Sequence, residues 1–120
     1  MLQTMCKSKI ANARITQTEL RYEGSITIDG VLLDEVNILP GEKVEVLNFN
    51  NGSRVETYAI RGEDNSGLIC LNGPAAHTGK VGDELIILAY CFAEEKEAPS
   101  IKTKIVYCDE RNKIKNSALR

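Results

Sequence analysis

From Ala11 to Thr16 apolar and polar side chains alternate, with Ala11, Ala13 and Ile15 on one side and Asn12, Arg14 and Thr16 on the other. A period of two is that of a half-buried strand. Leu2 to Cys6 carries a weaker form of the same pattern. The alternation resumes after Ser25, where Ile26 and Ile28 flank Thr27, and Asp29 then stands where its carboxylate can cap a short helix over Val31, Leu32, Leu33 and Val36. Pro40-Gly41 is expected to end that helix. Val44 and Val46 alternate with Lys43 and Glu45, and Asn51-Gly52 separates this run from the one opening at Arg54, which is a strong hairpin signal. On the second arm, Arg54 to Ile60, alternation puts Arg54, Glu56 and Tyr58 on one face and Val55, Thr57 and Ala59 on the other.

Asn65-Ser66-Gly67 reads as a turn into the apolar strand Leu68 to Leu71, which stops at Asn72-Gly73-Pro74, the punctuation of a loop. A short helical stretch is expected from Ala75 through His77. Val81-Gly82-Asp83 then turns into the long apolar run Leu85 to Phe92, which reads as the central strand. Ala93 to Pro99 reads as an acidic loop and Ile101 to Tyr107 as the last strand, with Ile105 and Tyr107 on one face. The segment 109–120 is charged, has little to bury and is left as a tail. Many short strands with one or two helical turns predict a single mainly β domain over residues 1–120, a small barrel or sandwich.

Composition narrows the function classes. The 120 residues carry a formal net charge of -2 and are 42% hydrophobic, enough for one core. With no Lys/Arg block there is no electrostatic case for nucleic acid or an anionic membrane as a partner. No run approaches transmembrane length and the N-terminus turns polar at once, so a cytoplasmic protein is expected. Cys6, Cys70, Cys91 and Cys108 are widely spaced, which favours free buried thiols over disulfides or a metal site.

The candidate chemistry lies at Tyr22-Glu23-Gly24-Ser25. A Gly-Ser bond joins an unhindered carbonyl to a hydroxyl one residue on, and glycine can take backbone conformations that let the serine oxygen approach that carbonyl. Gly-Ser pairs are also abundant in turns, so the dipeptide alone reads first as a turn. Arg54 alone reads either as an exposed strand arginine or as a carboxylate clamp with its planar fork. Lys9 is either substrate-facing positive charge or one of several basic residues near Lys7 and Arg14. His77, the only histidine, sits in an alanine-rich turn and reads as structural before catalytic.

Taken together and in order, Lys9, Tyr22-Glu23-Gly24-Ser25, Asn51-Gly52-x-Arg54, Thr57-Tyr58-Ala59-Ile60, Asn72-Gly73-Pro74-Ala75-Ala76-His77 and Val81-Gly82-Asp83 resemble the pyruvoyl-dependent aspartate 1-decarboxylases. The resemblance spans Met1 to about Tyr107. It implies a double-psi β-barrel, a homotetramer, and conversion of L-aspartate to β-alanine and carbon dioxide for pantothenate synthesis. It further implies cleavage between Gly24 and Ser25, with Ser25 becoming the pyruvoyl cofactor, a ketone that acts as an electron sink in place of pyridoxal phosphate.

By the same resemblance Tyr58 returns a proton to the α-carbon, and Thr57 hydrogen-bonds at the cleavage site, polarising the Gly24 carbonyl. Lys9 and Arg54 meet the acidic substrate, Gly73, Pro74 and Ala75 offer backbone groups to a carboxylate, and Tyr22 and Asn72 support the site. Position 11, polar or histidine in some members, is Ala11 here. Regular alternation sets Thr57 and Tyr58 on opposite faces, so a bulge or an interface between copies is expected to bring both to one site. Whether cleavage is spontaneous or needs a maturation factor is left open. So are two other readings: a pyruvoyl decarboxylase of a different amino acid, and a non-enzymatic β-barrel binding module.

Overall fold

The structure, a computed structural model, describes residues 1–120. Nine strands and one short α-helix account for it: β1 (Leu2–Arg14), β2 (Gln17–Glu19), β3 (Ser25–Asp29), α1 (Gly30–Val36), β4 (Lys43–Asn48), β5 (Arg54–Gly62), β6 (Ile69–Asn72), β7 (Glu84–Glu94), β8 (Lys104–Cys108) and β9 (Ile114–Leu119). Two 3-10 turns, Gly73–Thr78 and Ala98–Ser100, complete it. The strands run in the order β2-β6-β3-β5-β4-β7-β1-β8-β9. Three neighbouring pairs, β1 with β8, β2 with β6 and β3 with β5, are parallel, so the chain crosses over between strands rather than meandering. This mainly β single domain fits the expected double-psi barrel.

The period-two signals mark the inward faces. Ile10, Ala13 and Ile15 from the first strand and its exit, Ile26 and Ile28 from β3, Val44 and Val46 from β4, and Leu85 and Ile87 from β7 belong to one cluster of 19 buried residues. Burial of this apolar surface supplies the main stabilisation, about 25 cal/mol for each Å² removed from water. The first strand is longer than expected. Leu2–Arg14 is one element whose pairing with β7 shifts between Ile10 and Ala13, with Asn12 at φ 62. A bulge lets the strand bend while Ala13 returns to the core.

Asp29 caps α1 as expected, accepting from the Val31 amide at 2.9 Å. The helix stops at Asn37, in the left-handed region at φ 59, before Pro40-Gly41 is reached. Asparagine tolerates that conformation because its short polar side chain is compatible with it. The hairpin pairs Lys43 with Tyr58 and Leu47 with Arg54. Its loop is wider than a two-residue turn: the Asn48 amide bonds the Ser53 carbonyl, and only Gly52 of the Asn-Gly pair takes a positive φ, at 75. The loop is tied to the neighbouring 3-10 turn, because the Thr78 carbonyl accepts from Asn48, Asn51 and Ser53 side chains.

Two expectations are corrected beyond β8. Ile101 to Tyr107 is not the last strand, and 109–120 is not a free tail. Ile114–Leu119 pairs antiparallel with β8, and Asn112 is buried, donating to the Arg14 and Gly67 carbonyls and accepting from the Arg14 amide. The strand itself stays largely exposed. Its side chains carry no apolar periodicity because they cover an edge, where backbone pairing rather than burial defines the element.

Candidate active site

The Gly24–Ser25 bond sits where β3 begins. Gly24 is exposed and Ser25 fully buried. β3 lies between β5 on one side and β6 on the other. Its parallel register with β5 runs from Ile26 opposite Ala59. Continued backwards, that register sets Ser25 beside Tyr58 and Gly24 beside Thr57. The Gly24–Ser25 peptide thus runs alongside both residues, whose side chains alternate about β5. A cleft of about 470 Å³ opens there, lined by Gly24, Thr57, Tyr58, Pro74 and Ala75 among others.

On the other side the antiparallel register pairs Ser25 with Asn72. The Asn72 side-chain amide donates to Ser25 Oγ and to Thr27 Oγ1, both at 2.9 Å. Ser25 Oγ itself lies 3.3 Å from the Glu23 carbonyl, to which it can donate. The hydroxyl is therefore dry, held from two directions and next to the carbonyl of an exposed glycine. That arrangement is chemically suited to attack on the peptide bond before it, since the oxygen has an N–H donor to stabilise charge as its proton leaves.

Gly24 does not use the special conformational freedom of glycine, as its φ is not positive. Gly73 does. It sits at φ 66, and a Cβ there would run into the Tyr22 carbonyl oxygen and come within 2.9 Å of the Gly24 amide nitrogen. The glycine that the backbone requires here is thus the one across from it, which lets residues 22–24 pass against the start of the 3-10 turn. Pro74, the next residue, would be in ordinary van der Waals contact with a side chain at position 24, at 3.8 Å. Tyr22 meets the site through its backbone, since its side chain is exposed.

Arg54 and Lys9 are elsewhere. Arg54 lies in a separate cleft of about 560 Å³, lined by Lys43, Glu45, Tyr90, Cys91 and Phe92 among others, which meets the first cleft at Glu56. There Glu45 Oε1 accepts from Arg54 Nη1 and from the Tyr90 hydroxyl, both at 2.8 Å. Burial, and then the Glu45 carboxylate beside it, push the Tyr90 phenol above its ordinary value. Lys9 is half-buried on β1, paired with Leu88 and Ile105, four strands from β3 in the sheet order. His77 is exposed and lines a polar hollow with Asn50, Asn51, Lys80 and Asp83, away from Ser25.

The four cysteines are free, and no group of three or more His, Cys, Asp and Glu side chains is placed to hold a metal ion. No helix is long and apolar enough to cross a membrane. Sequence reasoning missed Thr27, Cys70, Glu45 and Tyr90. The first two carried a signal: Ser25 and Thr27 are polar at alternate positions of one strand, and Cys70 and Asn72 at alternate positions of another.

The sequence model described as aspartate decarboxylase matches residues 1–115. The aspartate 1-decarboxylase of Carboxydothermus hydrogenoformans is 54% identical over 114 residues, which is 95% of this chain and 90% of that protein. Those of Thermoanaerobacter pseudethanolicus and Leptospira biflexa are 51% and 49% identical, covering 97% and 98% of this chain and 99% and 100% of theirs. With a match across nearly its whole length, and with the Gly24–Ser25 bond set between Asn72 on one side and Thr57 and Tyr58 on the other, the chain belongs to the aspartate decarboxylase family.

Proposed function

We propose that this decarboxylase removes carbon dioxide from L-aspartate to give β-alanine, a precursor for pantothenate synthesis, and that it makes its own pyruvoyl group by cleaving the bond between Gly24 and Ser25. The observation that carries the proposal is the fully buried Ser25 hydroxyl, with the Asn72 amide 2.9 Å away, directly after an exposed glycine. Ser25 Oγ attacks the Gly24 carbonyl carbon, the C–N bond breaks, and the serine proton passes to the freed amine, leaving an ester. Loss of the Ser25 α-proton expels the Gly24 carboxylate, and water then replaces the nitrogen as ammonia, leaving the ketone at position 25.

Once formed, the pyruvoyl group supplies an electron-withdrawing ketone that takes up the electron pair left as the α-carboxylate departs. Tyr58, beside position 25 in the β5 register, holds the phenolic proton that is returned to the α-carbon. Thr57, beside Gly24, polarises the carbonyl during cleavage. Pro74 and Ala75 wall the cleft, with Gly73 behind them shaping the loop. Arg54 and Lys9 bind the substrate carboxylates. In one chain Lys9 lies four strands from Ser25, so a site using both is shared between copies in a homotetramer. Exposed Tyr58, Tyr90 and Phe92 border the clefts on β5 and β7 and suit such a contact. Four free thiols suit the reducing cytoplasm as its place of work.

The test is release of carbon dioxide and β-alanine from L-aspartate by the wild-type chain and by Ser25→Ala. The variant is expected to stay uncleaved and to lose all turnover. A Ser25→Ala chain that still decarboxylates aspartate would overturn the pyruvoyl reading.

A further inference from the structure

We propose that Cys70 and Thr27 are positioning residues for the cleavage serine: Cys70 sets which way the Asn72 side-chain amide faces and Thr27 holds the amide in place, so that its N–H group faces Ser25 Oγ and the serine proton stays available for transfer. The inference rests on the self-cleavage reading and extends it to two residues outside the reacting bond.

β3 and β6 pair antiparallel, with Ser25 opposite Asn72 and Thr27 opposite Cys70. Because strand side chains alternate, these four share one face, while Ile26 and Leu71 between them point the other way into the core. Ser25, Cys70 and Asn72 are each no more than 4% exposed, and Thr27 is half-buried. Asn72 is the hub of the quartet. Its Nδ2 donates to Ser25 Oγ and Thr27 Oγ1, and its Oδ1 accepts from Cys70 Sγ at 3.2 Å.

An asparagine amide turned by 180° fills the same space, so only its partners choose between the two orientations. Ser25 and Thr27 hydroxyls can donate or accept and do not choose. The Cys70 thiol does: as a donor it favours the amide oxygen, and sulfur is a weak acceptor for an N–H. Its other acceptor, the Leu71 carbonyl, is distant at 3.9 Å. Burial pushes the Cys70 thiol above its ordinary value, so it remains a protonated donor through the neutral range.

Orientation matters to the bond that breaks. With Nδ2 on Ser25 Oγ, the serine O–H turns to the Glu23 carbonyl at 3.3 Å, and the N–H donor eases the loss of the serine proton, while the negative charge of the attack itself develops on the Gly24 carbonyl oxygen. In the turned amide the serine would donate into Asn72 Oδ1 and lose that donor. The held orientation therefore favours forming the bond from Oγ to the Gly24 carbonyl carbon, breaking the C–N bond and delivering the proton to the Ser25 nitrogen.

The experiment follows the cleavage rate of chain isolated uncleaved, by intact mass, with cell extract in every reaction and Ser25→Ala as the blank. Circular dichroism and Tm verify folding. Cys70→Ala and Thr27→Val each remove one hydrogen bond and are expected to slow cleavage by about three- to tenfold. Thr27→Ser keeps the hydroxyl and is expected to restore the rate to within about twofold of wild type, a rescue that loss of packing alone would not give; Cys70→Ser keeps a donor to Asn72 Oδ1 but, as a hydroxyl that also accepts, is expected to recover the rate only in part. If Cys70→Ala does not fold, the Thr27 pair decides. Wild-type chain that never cleaves overturns the self-cleavage reading and this inference with it. Wild type that cleaves, with the alanine or valine variants as fast as their serine counterparts, overturns this inference alone.

Discussion

The surroundings of Ser25 and of Arg54 are built on opposite principles. At Ser25 the polar atoms are buried and held at fixed places, the Asn72 amide bridging two hydroxyls with its oxygen on a thiol. At Arg54 the charge is in the open: the arginine side chain is 55% exposed, and its partner Glu45, at 19%, shares one oxygen with Tyr90. A buried hydrogen-bonded group cannot leave its partner without stranding it, at about 1–3 kcal/mol. An exposed ion pair is worth roughly 0–1 kcal/mol, so Arg54 can exchange Glu45 for a substrate carboxylate at small cost. Under the proposed function, one chain assembles what cleavage needs, while the arginine proposed to meet substrate is held by an exchangeable partner.

Variants that separate cleavage from turnover break the comparison most sharply. Tyr58→Phe should cleave as wild type yet lower kcat by about a hundredfold or more, because only the proton donor is lost; intact mass together with steady-state kinetics checks both halves. Gly73→Ala acts the other way. A side chain there meets the Tyr22 carbonyl and is strained at φ 66, so cleavage should slow by about ten- to a hundredfold, read as accumulation of the uncleaved chain. Arg54→Ala should leave cleavage untouched and raise KM for aspartate by about tenfold or more, as expected for a charge-assisted bond to a carboxylate.

The smallest effect is alkaline. Burial and Glu45 hold the Tyr90 pKa above the ordinary 10.0 in the folded chain. The folded state therefore keeps this proton more tightly than the unfolded one. The contribution to stability is complete below pH 10 and is lost as pH rises through the folded value. Glu45→Gln removes the neighbouring charge and should move the titration down, read from absorbance at the tyrosinate band; an unmoved titration would show that Glu45 does not act on Tyr90.

Much of this was legible in the sequence, and the reasons are local. Asp29 before an apolar helix face, Asn51-Gly52 between two alternating runs, and the long run into Phe92 each state their element within a few residues. β9 was not legible because an exposed edge strand needs no apolar face. The Gly24–Ser25 bond was legible, yet the glycine that must be glycine for backbone reasons is Gly73, some fifty residues on, and its neighbours are visible only in the fold. Cys70 looked like an ordinary buried thiol in an apolar strand. Its contact with Asn72 follows from alternation along β6, but the link through Asn72 to Ser25 exists because β6 pairs with β3 in one register and no other. Arg54, Lys9 and Ser25 appear as one set along the sequence, but the sheet order sets Lys9 four strands from Ser25, and Arg54, on the neighbouring strand, lines a different cleft from Gly24.

The most direct measurement is an intact-mass spectrum of the purified chain after prolonged incubation, alone and with cell extract. Two species are expected, residues 1–24 ending in Gly24 and residues 25–120 beginning with a pyruvoyl group in place of Ser25. A single chain still carrying its Gly24–Ser25 bond under both conditions would contradict self-cleavage.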